Sequence, residues 1–387
     1  MRMVVVELWG VALWKVGRRP ESFAGMVESS KGVATMGDRP KRVSRDLIVL
    51  LAGLFAVSGL LGGSAGRANG PSPPQAARVP VREGQVKANG ITIAYKSFGT
   101  EDREAILLIM GSYNQLTQWP VELCEELVKR GYRVIVFDNR DVGLSTKFES
   151  AGSPDWKAIT EALAAGKPAP LPYTIRDMAQ DAVGLLDALG IKKAHIVGVS
   201  MGGMIAQIVA TDHPEHTLSL TSMGATSGKP GLPIIAKPEV AAKIPPPAPQ
   251  GDKKAYIEVR VKGAQLMGSP GYPTDENVLR ERFTADVERS YYPAGEARHA
   301  AVALVAASED RREKLKTIKV PTVVVHGADD PLVPVDAGRD VAANIPGAEL
   351  RIIAGMGHDL PVPLVTTIAD AITAAAARAT GVKATPK

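Results

Sequence analysis

The sequence has very little cysteine and few aromatic residues. Cys124 is the only thiol in 387 residues, so the chain can form neither an internal disulfide nor a cysteine-based zinc cluster. Aromatic residues make up 5% of the sequence, which argues against a stacking surface for single-stranded nucleic acid. Because Cys124 falls in a helical pattern between Trp119 and Arg130, we interpret it as a packing residue rather than a catalytic thiol.

The body of the chain also lacks an excess of charge of either sign. The net charge of +5 comes from residues 1–68, which hold 10 Lys and Arg against 5 Asp and Glu. Residues 69–387 hold 36 residues of each sign, so no nucleic-acid partner is expected. With 45% hydrophobic and 22% charged residues, the composition is that of a globular protein.

One long hydrophobic run lies near the N-terminus. Residues 47–63 are apolar and uncharged, with basic residues before them and small residues after them. This order predicts a secretory signal peptide over residues 36–68, and therefore a periplasmic or secreted protein. The alternative is an uncleaved segment at residues 47–63 that anchors the protein to the membrane, which would be its only membrane tether.

The position of this run bears on where translation starts. The run lies too deep in the chain for a normal signal, whereas a start at Met36 would place it correctly. We therefore expect residues 1–35 to be an upstream mis-start or a disordered extension. Residues 69–82, rich in Pro and Ala, are expected to be a linker.

Beyond Gly84, short apolar runs alternate with helical patterns. Asn89-Gly90 between two alternating segments predicts a β-hairpin, and Thr174 opens a capping box. This order predicts an α/β fold with a mostly parallel, twisted, eight-stranded sheet flanked by helices. Buried strands are predicted at Ala105–Met110, Tyr132–Phe137, His195–Val199, Leu218–Met223, Thr322–His326 and Glu349–Ile353.

A block in the second half of the chain breaks this alternation. Residues 225–315 contain Pro-rich loops and helical patterns but no convincing strand pattern. A helical insertion between two sheet strands is typical of a lid. We therefore expect a core of residues 83–224 and 316–382, interrupted by a helical lid at residues 225–315 before the strand that leads to a catalytic aspartate.

A catalytic triad is predicted from three separate motifs. Ser200 stands in Gly-Val-Ser-Met-Gly, between a strand and a helix, which is the pattern of a nucleophile elbow. His358 follows the last predicted strand and is the expected base, with His326 as the rival. Asp330 is the expected partner of the imidazole, with Asp329 as the alternative. The chain order Ser-Asp-His is the one found in α/β-hydrolases.

Acyl transfer also needs donors for the oxyanion and a surface for the substrate. We expect the backbone N–H groups of Met201 and Ser112 to form the oxyanion hole. The expected ligand is a small hydrophobic substrate, because several apolar residues lie in the lid region. The expected substrate contacts are Met110, Gly111, Tyr113, Met267, Tyr272 and Tyr291.

The chain from about Gly84 to Gly381 resembles α/β-hydrolases of the aclacinomycin methylesterase-like group. The resemblance implies hydrolysis of carboxylic esters through an acyl-enzyme, without a metal or an organic cofactor. Residues 138–141 are expected to brace the loop beside the site, with direct contact to the substrate as the alternative. The matching stretches are Ile109-Met-Gly111, Gln115-Leu-Thr-Gln-Trp-Pro120, Phe137-Asp-Asn-Arg-Asp-Val-Gly-Leu-Ser145, Gly198-Val-Ser-Met-Gly-Gly203, Gly268-Ser-Pro-Gly-Tyr272 and Gly355-Met-Gly-His358.

Several other functions stay open at this point. A serine nucleophile disfavours epoxide hydrolases and haloalkane dehalogenases, which need a carboxylate there. Aminopeptidases of the proline iminopeptidase type, cofactor-free perhydrolases and carbon–carbon bond hydrolases keep the same triad, and a non-catalytic binding protein is a further alternative. An aminopeptidase would need acids in the lid to hold a free amine; the candidates are Glu276, Glu281, Asp286 and Glu288.

Overall fold

The computed structural model describes residues 5–8, 11–14, 79–232, 236 and 238–380. Near the N-terminus, β1 (Val5–Leu8) and β2 (Val11–Trp14) pair as a two-stranded antiparallel sheet.

The predictions for the N-terminal segment concern residues that are largely outside this description. The signal peptide at 36–68, the alternative anchor at 47–63 and the start at Met36 lie wholly outside the described residues. The upstream segment 1–35 is described only at β1 and β2, and the linker 69–82 only from residue 79.

Eight strands form the main sheet, in the order β10-β9-β8-β7-β5-β6-β4-β3. The β3–β4 and β4–β6 pairs are antiparallel, and the other pairs are parallel. The mostly parallel, eight-stranded sheet predicted from the sequence is therefore confirmed. The strands are β3 (Val81–Ala88), β4 (Ile91–Phe98), β5 (Ala105–Ile109), β6 (Arg133–Phe137), β7 (Ala194–Val199), β8 (Thr217–Met223), β9 (Thr322–Gly327) and β10 (Glu349–Ile353).

Helices connect the strands and cover the sheet. Helices α2 and α5 were not predicted from the sequence, and the single helical stretch predicted at Glu296–Leu315 is divided into α8 and α9. The α-helices of the described part are α1 (Val121–Lys129), α2 (Trp156–Ala164), α3 (Ile175–Ala188), α4 (Met201–Asp212), α5 (Pro238–Ala241), α6 (Lys253–Met267), α7 (Glu276–Arg289), α8 (Pro293–Ala307), α9 (Arg312–Leu315), α10 (Val335–Ala343) and α11 (Val365–Thr380). Short 3₁₀ helices lie at Leu116–Gln118, Glu149–Ala151, Pro214–His216 and Val362–Leu364.

The hydrophobic core forms a layer on each side of the sheet. In β5, Leu107 and Ile109 belong to one buried cluster and Ile106 and Leu108 to the other, because successive side chains of a strand point to opposite faces. Helices α3, α4 and α10 pack on the first cluster, and α1 and α11 pack on the second. Burial on both faces explains why β5 is a continuous apolar run in the sequence.

The chain enters the sheet through a tight hairpin. Asn89 and Gly90 have φ angles of 47° and 76°, and positive φ at both turn residues is what a type I′ turn requires. The turn aligns Val81 with Phe98, so β3 begins two residues before the predicted start of the core at residue 83. The end of the predicted linker therefore belongs to the sheet, because its backbone pairs with β4.

One helix in the described part, over Val362–Ala379, is long and apolar enough to cross a membrane. Ile368 and Ile372 in this segment are buried against the sheet in the second core cluster. Its apolar composition is thus explained by packing in the core.

Helices α5 to α9 lie between β8 and β9, in the block of residues 225–315 that we call the lid. Buried ion pairs join the lid to the loop after β6. Arg298 Nε lies 2.7 Å from Asp141 Oδ2, and Arg289 Nη2 lies 2.7 Å from Asp138 Oδ2. Both carboxylates are fully buried, so loss of either arginine would leave an uncompensated charge inside the protein.

Candidate active site

Ser200 occupies a strained turn between β7 and α4. Its φ angle is +57°, a region that costs a non-glycine residue about 1–3 kcal/mol. A Cβ on Gly198 would lie 2.0 Å from the carbonyl oxygen of Gly202, and a Cβ on Gly202 would lie 2.1 Å from that of Ile109. Both flanking glycines are therefore required by close backbone approach, as the elbow motif predicts.

The structure brings together the three residues predicted as a triad. His358 Nε2 lies 2.9 Å from Ser200 Oγ, and His358 Nδ1 lies 2.7 Å from Asp330 Oδ2. With Nδ1–H donating to the carboxylate, Nε2 is free to accept the hydroxyl proton of Ser200. The three side chains come from loops at the carboxyl ends of β7, β9 and β10, where ligands bind in sheets of this kind.

Asp330 is held as a carboxylate by its surroundings. It is 3% exposed, and its Oδ1 accepts hydrogen bonds from the N–H groups of Leu332 (2.9 Å) and Val333 (2.8 Å). Burial alone would raise the pKa of Asp330, but His358 and the Val333 N–H outweigh it and hold the pKa below its usual range. A charged carboxylate is thus available to orient the imidazole.

The pKa of the His358 imidazole is raised above its usual value. Burial alone would lower this pKa, but the charge of Asp330 and its hydrogen bond outweigh burial. The charge of Asp359, the next residue in the chain, acts in the same direction. The imidazole is therefore a stronger base than a free histidine.

The rival candidates for the base and the acid have other partners. His326 is fully buried, and its Nε2–H donates to the carbonyl oxygen of Val333 at 2.9 Å, which supports the turn that carries Asp330. Asp329 accepts a hydrogen bond from the N–H of Gly355 at 2.8 Å. Both residues therefore brace loops around the triad instead of joining it.

The loop after β5 lies directly against the nucleophile. A Cβ on Gly111 would be 3.1 Å from the Cβ of Ser200, so the backbone of this loop closely approaches the hydroxyl. Ser112 and Met201, the residues predicted to donate to the oxyanion, line the same cavity as Ser200, and the Ser112 hydroxyl contacts the Met201 sulfur at 3.4 Å.

His299 of the lid helix α8 fixes the conformation of this loop. Tyr113 has a φ angle of +50°, and its N–H donates to His299 Nδ1 at 3.0 Å. The other ring nitrogen, Nε2–H, donates to the carbonyl oxygen of Arg140 at 2.6 Å, so the imidazole is neutral. Burial lowers the pKa of His299 to about 4, which keeps it neutral at ordinary pH.

A cavity of about 890 Å³ opens above Ser200 between the sheet and the lid. Four of the six predicted substrate contacts lie in its wall, namely Met110, Gly111, Tyr113 and Met267. Much of the remaining wall is apolar, and it includes Met204, Leu266, Leu279, Phe283, Leu304 and Leu332.

The structure does not place the other two predicted contacts, Tyr272 and Tyr291, in the wall of this cavity. Tyr272 packs against the second core cluster, beside Gly355. Tyr291 stacks edge-on against Tyr256, with the ring centroids 5.2 Å apart. The prediction was wrong for both tyrosines, because each half-buried ring packs against neighbouring residues and does not line the cavity.

The acids proposed for an aminopeptidase also lie away from the cavity. Glu276, Glu281 and Glu288 are exposed, and none of them lines its wall. Asp286 is buried, but its carboxylate accepts hydrogen bonds from Thr117 and from Gln118 Nε2. Its role in the structure is to join α7 to the loop after β5.

Residues 138–141 brace the surroundings of the site through buried contacts. Asp138 accepts from the N–H groups of Leu116 and Leu144, both at 2.8 Å, and Asn139 Nδ2 donates to the carbonyl oxygen of Met110 at 3.0 Å. None of the four lines the cavity above Ser200. The structure therefore supports the bracing role rather than direct substrate contact.

Some residues at the site were not identified from the sequence. Asp359 and Ser269 both line the cavity, and the Ser269 hydroxyl donates to the Asp359 carboxylate. Trp156, in the unpredicted helix α2, lines it as well. The sequence feature that could have identified Ser269 is the Gly268-Ser-Pro-Gly-Tyr272 motif. The sequence alone did not assign this motif a role in the site.

The described part of the chain contains no group of three or more His, Cys, Asp or Glu side chains that could hold a metal ion. Cys124 is buried in the core, and burial raises the pKa of its thiol to about 12. It is therefore a packing residue with little thiolate character.

Known proteins resemble this chain in sequence and in fold. Residues 104–362, more than half of the chain, match the family described as the alpha/beta hydrolase fold. Rhodomycin D methylesterase DauP of Streptomyces sp. (strain C5) is 29% identical over 302 residues, which cover 73% of this chain and 94% of that protein. A 2-hydroxy-6-oxononadienedioate/2-hydroxy-6-oxononatrienedioate hydrolase of Burkholderia vietnamiensis is 28% identical, covering 69% of this chain and 85% of that protein.

Solved structures agree with the architecture. The meta-cleavage product hydrolase CumD of Pseudomonas fluorescens IP01 superposes with a TM-score of 0.57 at 20% identity, covering 76% of this chain and 98% of that chain. At this identity the likeness concerns the fold alone. The family match, the sheet topology and the methylesterase relatives together support a carboxylic-ester hydrolase. The chain belongs to the α/β-hydrolase fold family.

Proposed function

We propose that the protein is a serine hydrolase that cleaves small, hydrophobic carboxylic esters through an acyl-enzyme. The observation that carries the proposal is the hydrogen-bonded series from Ser200 Oγ to His358 and on to Asp330, at 2.9 and 2.7 Å, at the base of a largely apolar cavity. Resemblance to methylesterases supports an ester as the substrate.

In the first step, Ser200 Oγ attacks the ester carbonyl carbon and its proton passes to His358 Nε2. Nucleophile and base are within hydrogen-bond distance, which is the requirement for this proton transfer. The buried carboxylate of Asp330 stabilises the imidazolium that forms and keeps its Nδ1–H in place. The product of the step is a tetrahedral intermediate bonded to Ser200, with a negative charge on the former carbonyl oxygen.

The backbone N–H groups of Met201 and Ser112 are the proposed donors to this oxyanion. Met201 begins α4, so its N–H lies at a helix N-terminus, where the helix dipole favours negative charge. Removing one such donor typically costs a hydrolase about 3 kcal/mol of transition-state stabilisation. Because both donors belong to the backbone, the oxyanion hole does not depend on the side chains of Ser112 and Met201.

The intermediate then collapses with cleavage of the carbon–oxygen bond to the alcohol. His358 Nε2–H protonates the departing alkoxide, and the acyl group stays on Ser200. A water molecule attacks the acyl-enzyme, giving one proton to His358 and forming a second tetrahedral intermediate. When this intermediate collapses, the proton returns to Ser200 Oγ and the carboxylic acid is released.

The composition of the cavity supports a hydrophobic substrate of moderate size. Its volume of about 890 Å³ falls in the range of pockets that enclose small organic molecules. Met204, Leu279 and Leu304 line it, so burial of an acyl or alcohol group is favoured by about 25 cal/mol per Å² of apolar surface.

Steady-state hydrolysis tests this proposal. p-Nitrophenyl esters of increasing acyl length are compared for the unmodified protein and for Ser200→Ala, with Ser308→Ala as a matched control on the exposed end of α8. We expect ester turnover by the unmodified and Ser308→Ala proteins, and a loss of kcat by about 10⁶-fold in Ser200→Ala.

A prolyl arylamide measured in parallel separates the esterase from an aminopeptidase. We expect turnover of this amide to be negligible, because the acids proposed to hold a free amine lie outside the cavity. Faster cleavage of the arylamide than of every ester, or ester turnover unchanged in Ser200→Ala, would refute the proposal.

A further inference from the structure

The lid contacts the loop that carries His358 along a continuous seam. The seam joins lid segment 267–271 to base loop 355–359. The N–H of His358 donates to the carbonyl oxygen of Met267 at 2.8 Å, and the N–H of Gly271 donates to that of Gly355 at 2.9 Å. The backbone of the base loop is therefore hydrogen-bonded to the lid at both ends of this short segment.

Ser269 completes the seam between these two backbone contacts. Its Oγ accepts a hydrogen bond from the N–H of Gly357 at 2.9 Å, and its hydroxyl proton is donated to Asp359 Oδ1. Ser269 is 2% exposed, so water has little access to replace these contacts. One lid side chain thus bonds to the residues immediately before and after His358.

The seam also explains a glycine in the motif that ends at His358. A Cβ on Gly357 would lie 2.3 Å from the carbonyl oxygen of Gly268. A Cβ on Gly271 would lie 2.8 Å from the Cα of Gly355. Real Cβ atoms do not approach other atoms this closely, so the two segments can meet only because these positions are glycine.

Asp359 adds an electrostatic contribution to this contact. Burial raises the pKa of its carboxyl, and the hydrogen bonds at Ser269 and the charge of His358 oppose that rise. When ionised, Asp359 raises the pKa of His358. The charged and titratable groups that act on the imidazole are Asp330 and His326, from the loop and end of β9, and Asp359 in the base loop.

We propose that Ser269 and Asp359 are positioning residues for the base, through which the lid holds His358 between Ser200 and Asp330. The inference rests on the proposed function of Ser200 and His358. The inference gives the Gly268-Ser-Pro-Gly-Tyr272 motif a function, which is to position the base. The lid is then part of the catalytic apparatus, because its segment 267–271 sets the orientation of the imidazole.

Two substitutions separate the geometric role from the electrostatic one. Ser269→Ala removes both hydrogen bonds of the hydroxyl, and a displaced imidazole should lower kcat by about 10- to 100-fold with little change in KM. Asp359→Asn keeps an oxygen that can accept from Ser269 but removes the charge. In the pH profile of kcat/KM for Asp359→Asn, the fall in activity on the acid side should move to lower pH, because Asp359 no longer stabilises the imidazolium. The kcat of this variant at higher pH should be retained.

The experiment uses p-nitrophenyl ester hydrolysis between pH 5 and 9 by the full chain, with Ser308→Ala as the control serine substitution. Melting temperatures identify a variant that does not fold; if Ser269→Ala is such a variant, the pH profile of Asp359→Asn decides. Wild-type kcat in a folded Ser269→Ala, or an unchanged acid limb in Asp359→Asn, would overturn the proposal. A rise in KM with unchanged kcat would also overturn it, because Ser269 would then contact substrate.

Failure of the underlying function would have a different signature. The unmodified protein would then neither hydrolyse the ester nor react with a fluorophosphonate. A protein that does both, and whose Ser269 and Asp359 variants behave like the unmodified chain, would retain the proposed function and lose only the seam proposal.

Discussion

The turn that carries Ser200 and the loop that carries His358 are held in place in different ways. Ser200 lies between a strand and a helix of the core, and its strained backbone is confined by Gly198, Gly202 and the end of β5. His358 lies in a loop whose hydrogen bonds cross to the lid. The position of the nucleophile is thus set within the sheet, whereas that of the base depends on an inserted helical segment.

This difference implies that the lid does more than cover the cavity. It contacts the base loop through residues 267–271 and the loop after β5 through His299. Both loops carry groups proposed to act on the reacting carbonyl. We therefore expect changes in the lid to alter kcat as well as substrate binding.

Among the substitutions that test this comparison, the largest effect is expected at Asp330, the core residue that orients His358. Asp330→Asn keeps the shape of the side chain but allows the imidazole to adopt the wrong tautomer, so kcat should fall by about 10⁴-fold. Ester hydrolysis at pH 8 measures this loss, and the melting temperature controls for folding. A loss smaller than that caused by Ser269→Ala would mean that the lid, not the core, is the main support of the base.

A second prediction concerns His299, through which the lid contacts the loop after β5. His299 is neutral in the folded protein down to about pH 4, whereas an unfolded histidine takes up a proton near pH 6.5. Unfolding therefore becomes more favourable as the pH falls from about 6.5 to 4, by about 3 kcal/mol in total for this residue. The stabilisation is fully present above pH 6.5.

Urea unfolding at pH 7 and pH 4.5 measures this contribution. His299→Gln does not titrate in this range, so its free energy of unfolding should change less between the two pH values than that of the unmodified protein. Buried His195 and His326 titrate in both proteins and cancel in the comparison. Equal pH dependence in the two proteins would contradict a neutral, buried imidazole at this position.

The smallest expected effect comes from adding one methyl group at each of the two regions. Gly202→Ala places a Cβ against the end of β5 and should lower the free energy of unfolding by about 1–3 kcal/mol as well as lowering kcat. Gly357→Ala pushes the base loop away from Gly268, and we expect it to lower kcat with a smaller loss of stability.

Gly347→Ala is the matched control for these two substitutions. Gly347 has positive φ, but a Cβ at this position would have no neighbour within 4 Å, so alanine there should lower stability without changing kcat. Urea unfolding and ester hydrolysis are measured for all three variants. Equal stability losses in Gly202→Ala and Gly357→Ala, with wild-type kcat in the latter, would remove the distinction between the two regions.

The sequence predicted what depends on local patterns. Buried strands appear as apolar runs, the turn at Asn89-Gly90 has the residues that positive φ requires, and Ser200 has glycines on both sides. These signals lie within a few residues of one another, so they can be read without knowing which distant segments meet. The predicted eight-stranded sheet was confirmed for this reason.

Features that depend on contacts between distant segments were harder to predict. Tyr272 and Tyr291 are aromatic residues of the lid, but only the packing of its helices decides which rings face the cavity. The contact between Ser269 and Asp359 joins residues 90 positions apart, and no local pattern relates them. Helix α2 was not predicted, although its N-cap Asp155 accepts a hydrogen bond from the N–H of Ala158.

Reaction of the intact protein with a fluorophosphonate, followed by mass spectrometry of the protein and its peptides, tests the role of Ser200 as the nucleophile without reference to any substrate. We expect one adduct per chain, located on Ser200, absent from Ser200→Ala and formed far more slowly in His358→Ala. Folded, unmodified protein that takes up no label, or takes it up at another residue while Ser200 stays free, would contradict a triad of Ser200, His358 and Asp330.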